Sequence, residues 1–199
     1  MVRRVALTVC VLCACVFLSG CYMWQPVQTS EVGLYLPDGT TVGDVVGTGR
    51  YTDLGPFASL VKIDVSAKVI EWEDPDLVTR DKQPIALKLA VTLARKRDRD
   101  SILEMWSSYR NEAVSDAALM NLVLARIPRA AKATTARYSL DEMLGTVPGQ
   151  EVAGREKVTL DLETLLRPQL EEVGIDLLDI GISNIGPDPQ YLELLKAKA

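Results

Sequence analysis

Histidine is absent from all 199 residues. Its absence removes Ser-His-Asp and Cys-His nucleophilic arrangements, imidazole-bound zinc and the usual near-neutral general base. Cysteine is confined to the first 21 residues, at Cys10, Cys13, Cys15 and Cys21. A basic stripe is missing too: 22 Lys and Arg stand against 27 Asp and Glu. Phosphate contacts dominate nucleic-acid affinity, so an acidic chain of this kind is a poor nucleic-acid binder. The longest apolar stretch lies at the amino terminus.

That terminus carries Arg3-Arg4, an apolar run from Val5 to Phe17 interrupted by Thr8, then Leu18-Ser19-Gly20-Cys21. Charge, a short greasy core and small residues, in that order, build a secretory signal peptide. A cysteine directly after Leu-Ser-Gly is similar to a bacterial lipobox. In such signals the thiol receives a diacylglyceryl group, the peptide is cut before it, and the new terminus is acylated. The expected mature chain starts at Cys21, the lipid attachment residue, and is membrane-anchored outside the cytoplasm, on the periplasmic side or the cell surface. The alternative is a retained span, but a span needs about 20 apolar residues to cross roughly 30 Å. Either way the basic end stays cytoplasmic and the rest crosses. One acyl chain holds a protein marginally, at about 0.8 kcal/mol per buried methylene, whereas two or three hold it stably.

Cleavage removes Arg3 and Arg4, so the balance becomes 20 basic against 27 acidic residues, or −7. Taking 20 residues from 199 leaves 179, the size of one ordinary domain. With only Cys21 surviving, no internal disulfide can form and stability must come from packing.

Tyr22 to Ser30 is polar and proline-broken, and reads as a tether. Glu31 to Leu36 reads as a strand, followed by a Pro37-Asp38-Gly39-Thr40 turn and a glycine-studded stretch to Pro56. Val61, Ile63, Val65, Ala67 and Val69 alternate with polar residues, as do Ile85, Leu87, Leu89, Val91 and Leu93 with Ala86, Lys88, Ala90 and Thr92. Such alternation predicts two long strands, paired antiparallel with one face covered, joined by an acidic link from Glu71 to Pro84. From Asp98 the period becomes helical. Ile102, Met105, Trp106 and Tyr109 stripe a helix capped near Asp100 or Ser101. Leu119, Leu122, Val123 and Ile127 stripe a second, with a break or kink expected at Pro128. Ser139-Leu140-Asp141-Glu142 is a capping box. Val158, Leu162, Leu165, Leu166 and Leu170 stripe a longer helix ending near Gly174. Ile175 to Ile185 returns to strand, and Tyr191, Leu192, Leu194 and Leu195 begin a last helix. Strands, then helices, then a closing strand predict an α+β fold with helices packed on one side of a small, mostly antiparallel sheet.

Four strings carry a resemblance. They are Glu31-Val32-Gly33-Leu34; Gly47-Thr48-Gly49-Arg50-Tyr51 with Pro56-Phe57; Leu77 to Ile85, with its leucine, threonine and aspartate; and Gly174 to Asp179 with Asn184 to Pro189 and Tyr191. In order and spacing the chain resembles the stomatin/prohibitin/flotillin superfamily of SPFH or band-7 domains. With the leader read above as a lipoprotein signal peptide (1–20) and a lipid-anchored tether (21–30), the resemblance assigns an SPFH-like domain (31–186) and the start of a C-terminal helix (187–199). The resemblance implies a scaffold or protein-interaction module rather than an enzyme, with no cofactor. Its expected partners are membrane lipid through acylated Cys21, further copies of itself, and a membrane protein such as a protease. Family members carry a long C-terminal coiled coil, whereas Ala199 stops barely two turns into that helix, which favours a smaller or partner-dependent oligomer. The alternative function is a non-assembling regulator or binding subunit of an envelope enzyme such as a membrane protease.

Other features have blander readings. Gly43-x-x-x-Gly47-x-Gly49 lacks the following helix that a phosphate loop needs, and reads as a turn. Glu71, Glu73, Asp74 and Asp76 lack calcium-loop spacing and read as a solvated hairpin tip. Arg95-Lys96-Arg97-Asp98-Arg99 is the only basic run, readable as a solvated loop or as a contact for anionic lipid or a partner. Trp24 suits the headgroup region; Trp106 is expected in the core. Leu192, Leu194 and Leu195 are a partner stripe or a coiled-coil stub.

Overall fold

Period-2 alternation is strictest in Pro84–Arg95, where every odd-numbered residue is buried and every even-numbered one half-buried. In the computed structural model, which describes residues 25–52, 54–55, 57–144 and 153–187, this strand is the centre of the largest sheet. The strands are β1 (Gln25–Val27), β2 (Glu31–Leu36), β3 (Asp44–Val46), β4 (Gly49–Tyr51), β5 (Ser59–Asp64), β6 (Lys68–Val78), β7 (Pro84–Arg95) and β8 (Ile175–Pro187). The described helices are α1 (Arg99–Ser108), α2 (Arg110–Val114), α3 (Asp116–Thr135), α4 (Leu140–Leu144) and α5 (Ala153–Glu171). All pairing is antiparallel. The α+β class is as expected. The strands, however, form three sheets instead of one, and the chain divides into two units, residues 1–64 and 65–199.

In the first unit β1 pairs with β4, and β2 lies between β3 and β5. Val27, Val32, Leu34, Leu36 and Ile63 are its buried side chains. The segment expected to be tether thus begins folding at Gln25, because Val27 has a core to join. The Asp38 turn forms as expected: Gly39 takes φ +76, and the Asp38 carboxylate accepts from Thr40 N, Thr41 N and the Thr41 hydroxyl at 2.6–2.8 Å. The glycine-rich stretch supplies two short strands and no helix.

In the second unit the order is β6-β7-β8. Here the expected long strand from Val61 to Val69 proves to be two: β5 ends at Asp64 in the first unit, and β6 starts at Lys68 in the second. The acidic link is corrected in the same way. Glu71 to Asp76 lie within β6, and the hairpin turn is Thr79 to Gln83. Proline is tolerated at position 75 because β6 is an edge strand, and the ladder slips by one residue between Asp74 and Leu77. Helices α3 and α5 pack on each other and against β6 and β8 respectively.

The helix expectations hold with three changes. The α1 cap is Asp98, whose carboxylate accepts from Ser101 N at 2.9 Å. Trp106 is half-buried, with the Arg110 guanidinium 4.4 Å from its ring centroid. Pro128 does not end α3, because the buried stripe Leu119, Val123, Ile127, Ala130, Ala131, Thr134 stays in phase across it. A proline forfeits one backbone bond, and tertiary packing of such a stripe can carry that loss. The capping box forms reciprocally: Ser139 N donates to Glu142 at 2.8 Å, and Glu142 N to the Ser139 hydroxyl at 3.3 Å. Positions 188–199, including the expected last helix, lie outside the described residues.

Candidate functional site

Polar side chains of the second unit gather at the two ends of its sheet. One end is where Lys68 pairs with Leu93 and Arg95 with Ile175. Arg95 continues the inward phase of β7, so its guanidinium is drawn under the helices, where it is 2% exposed. It donates from Nε (3.0 Å) and Nη2 (2.9 Å) to the Glu112 carbonyl of α2, and from Nη1 (2.9 Å) to Asp116 of α3. Lys68 completes the node with a 2.9 Å contact to Asp116. Burial pulls the Asp116 carboxyl upward, but Lys68 and Arg95 outweigh it and hold it below its ordinary value. Among the acids and bases of this end, the arrangement is a brace joining β6, β7, α2 and α3. The basic run is corrected accordingly: its first member is interior, Lys96 N bonds the Gly174 carbonyl, and Asp98 caps α1.

At the other end the β6–β7 turn is clamped to the α3–α4 junction. Arg80 N donates to the Tyr138 carbonyl at 2.8 Å, and its side chain reaches Glu142 (3.1 Å) and the Arg137 carbonyl (3.3 Å). The Thr79 hydroxyl donates to Asp81 at 2.5 Å, which holds the Asp81 carboxyl below the usual range. Glu142 is likewise lowered, chiefly by the Ser139 N–H and then by Arg80. Tyr138 donates to Asp161 of α5 at 2.9 Å; burial, that bond and the Asp161 charge push the phenol up. Arg137 joins Asp161 at 3.4 Å. This is the "leucine, threonine, aspartate" hairpin of the sequence reading, and its threonine and aspartate are consumed by one another.

The remaining candidates separate. Gly43, Gly47 and Gly49 surround β3 and β4, with no helix start behind them. Glu71 and Glu73 sit exposed on one face of β6, while Asp74 is half-buried in the alternate phase; Glu71 pairs with Lys88 at 3.2 Å. Among the described residues no three acidic, His or Cys side chains converge as a metal site. No described helix is long and apolar enough to cross a membrane. Cys21, Trp24, Leu192, Leu194 and Leu195 lie outside the described residues.

Grooves open on the helical side among the described residues. One of about 610 Å³ lies between α3 and α5, walled by Arg126, Arg129, Leu165, Gln169 and Glu172. Arg126 there donates to the Gln169 carbonyl near the end of α5. A shallower one of about 320 Å³ lies where Leu160, 62% exposed, meets Ile182 of β8. The sheet of the second unit is thus tied to its helices at both ends, braced at one and clamped at the other. The chain comes in at the braced end and leaves at the clamped end, where Ile85 pairs with Pro187. Eight residues of β7 separate Leu93 from Ile85, or about 27 Å at the usual rise per residue.

Residues 26–199 match the family described as SPFH domain / Band 7. No curated protein matches the chain.

Proposed function

The chain belongs to the SPFH domain / Band 7 family, and from that premise we propose that it is a lipid-anchored membrane scaffold and protein-interaction module. The observation that carries the reading is the extent of the family match, which takes in almost everything after Cys21. The Leu18-Ser19-Gly20-Cys21 string supports acylation of Cys21, removal of residues 1–20 and placement outside the cytoplasm. The family tie is to membrane-associated scaffolds, and a lipid at Cys21 supplies the attachment.

The mechanism is geometric. Acyl chains hold the domain at the bilayer and confine its encounters to two dimensions. The braced second unit transmits position from the end where the chain arrives to the end where it departs, about 27 Å away. Pro187, the last described residue, lies at that far end, and contacts with copies or partners are made from the same unit. Catalysis has no part in this reading.

The test is intact-mass measurement of the protein extracted from membranes, beside Cys21→Ser, with crosslinking in the intact membrane. A chain starting at Cys21 with diacylglyceryl and acyl mass, together with a self-crosslinked ladder, is expected. A chain that retains residues 1–20, or bears no lipid, overturns the anchor. One heterologous crosslinked partner without a ladder replaces the scaffold with a regulator of that partner.

A further inference from the structure

Only Tyr22, Met23 and Trp24 separate Cys21 from Gln25, the first residue of β1. Four residue steps reach at most about 14 Å. The headgroup layer occupies roughly 5–7 Å of each leaflet. On the anchored reading above, Gln25 therefore stands within about 10 Å of the outer headgroups, whatever path those three residues take.

The register of the first unit shows which end is held down. From the turn closed by Glu31 N on the Gln28 carbonyl, β2 runs forward to Leu36 and β1 runs back to Gln25. A Cβ at Gly33 would stand 3.0 Å from Val27 Cγ2, so the two segments run side by side. Gln25 pairs with Tyr51, the Tyr35 hydroxyl donates to the Leu54 carbonyl at 3.3 Å, and Leu36 pairs with Ser59. Tyr51, Leu54 and Ser59 therefore lie at the end that Gln25 faces. The Gln28–Glu31 turn and Asp64, the partner of Glu31, lie at the other end.

Phe57 sits at the held end, its carbonyl 3.3 Å from where a Gly39 Cβ would be. It is one of two phenylalanines in the chain and is 79% exposed, more than any other large apolar residue described. Leu54 beside it is half-buried and Arg50, on the adjoining β4, is exposed. The neighbouring acid, Asp38, has its carboxylate occupied by the Thr40 and Thr41 donors. An apolar ring held clear of its own unit gains only where an apolar phase meets it. We infer that Phe57 enters the headgroup–acyl boundary of the bilayer that holds Cys21, giving the first unit a second point of attachment. The lipid alone is a swivel; lipid and ring together set the tilt of the unit.

The mature chain has no thiol besides the acylated Cys21, so Phe57→Cys and Thr29→Cys each introduce a single labelling site. Thr29 is exposed in the turn at the opposite end. Each full-length variant, extracted from membranes, carries an environment-sensitive fluorophore in phosphatidylethanolamine–phosphatidylglycerol vesicles containing shallow nitroxide lipids. The label at 57 is expected to be blue-shifted and quenched several-fold more than the label at 29. Equal quenching overturns the inference, and so does a shielded label at 57 without quenching, which means protein covers it. Intact mass of the same samples separates the two failures. A lipid-free Cys21 sinks the anchor and this inference together, whereas an acylated chain with an unquenched position 57 sinks only this one.

Discussion

Replacing Arg95 by alanine removes the brace at the end of the sheet where the second unit begins. The guanidinium is nearly inaccessible and makes three charge-assisted hydrogen bonds, two of them to one carbonyl. That carbonyl, Glu112, lies in the last turn of a five-residue helix, where backbone acceptors have no partner within the helix. Asp116 is less exposed to the loss, since it keeps Lys68 and is 40% solvent-accessible. The cost is the stranded Glu112 carbonyl together with the packing lost with the buried arginine stem, in all about 2–4 kcal/mol. Arg95→Met, which retains apolar volume, is expected to cost less, about 1–3 kcal/mol, because it strands only the carbonyl. The assay is urea unfolding of the detergent-solubilised chain by circular dichroism, with an Asp116→Ala cycle expected to give a coupling of about 1–3 kcal/mol. A loss under about 1 kcal/mol for Arg95→Ala, or additive effects in the cycle, refutes the reasoning and returns Arg95 to the surface basic run.

Three further outcomes are expected. The Thr134 hydroxyl is buried with no hydrogen-bond partner among the described residues, so Thr134→Val should stabilise the fold by about 1 kcal/mol, read as a raised melting temperature. Gly174 holds φ +75, and a Cβ there would meet the Ser101 carbonyl oxygen at 3.3 Å; Gly174→Ala should cost about 1–3 kcal/mol in the same melts. Asp81, Asp98, Asp116 and Glu142 all have folded-state values below their ordinary ones. Their contribution is therefore complete above the unfolded range, near pH 4, and drains away as pH falls through the lower folded values. Melting temperature should be flat near neutrality and drop below about pH 4, less steeply in Asp116→Asn.

Strand and helix identities were legible wherever one face is buried. Alternation in β7, the Leu119 and Val158 stripes and the Ser139 box each state a local rule that packing obeys. What period-2 alternation does not encode is which sheet a strand joins. Val61 to Val69 keeps one phase across the boundary at Asp64, so its division between two units left no mark in the pattern. The acidic run misled for a related reason. Glu71 and Glu73 point outward from an edge strand, which resembles a hairpin tip when only charge is counted. For Arg95 a usable signal existed: it falls in phase with Ile85, Leu87, Leu89, Val91 and Leu93, and so was due to turn inward. Its acceptors, 17 and 21 residues away, are visible only in three dimensions.

The irregularities of the outer strands among the described residues acquire significance if the protein is concentrated on a surface as proposed. A row of unsatisfied backbone groups is a template for another chain, and crowding in a plane multiplies such encounters. β6 interrupts its row with Pro75 and a one-residue slip, and β8 slips twice along its pairing with β7. Each slip twists the strand and puts its free groups out of step with any straight neighbour. On the proposed scaffold reading, copies could pack densely on a membrane while their sheets refuse to fuse, and side-chain surfaces, with their greater selectivity, would choose the neighbours.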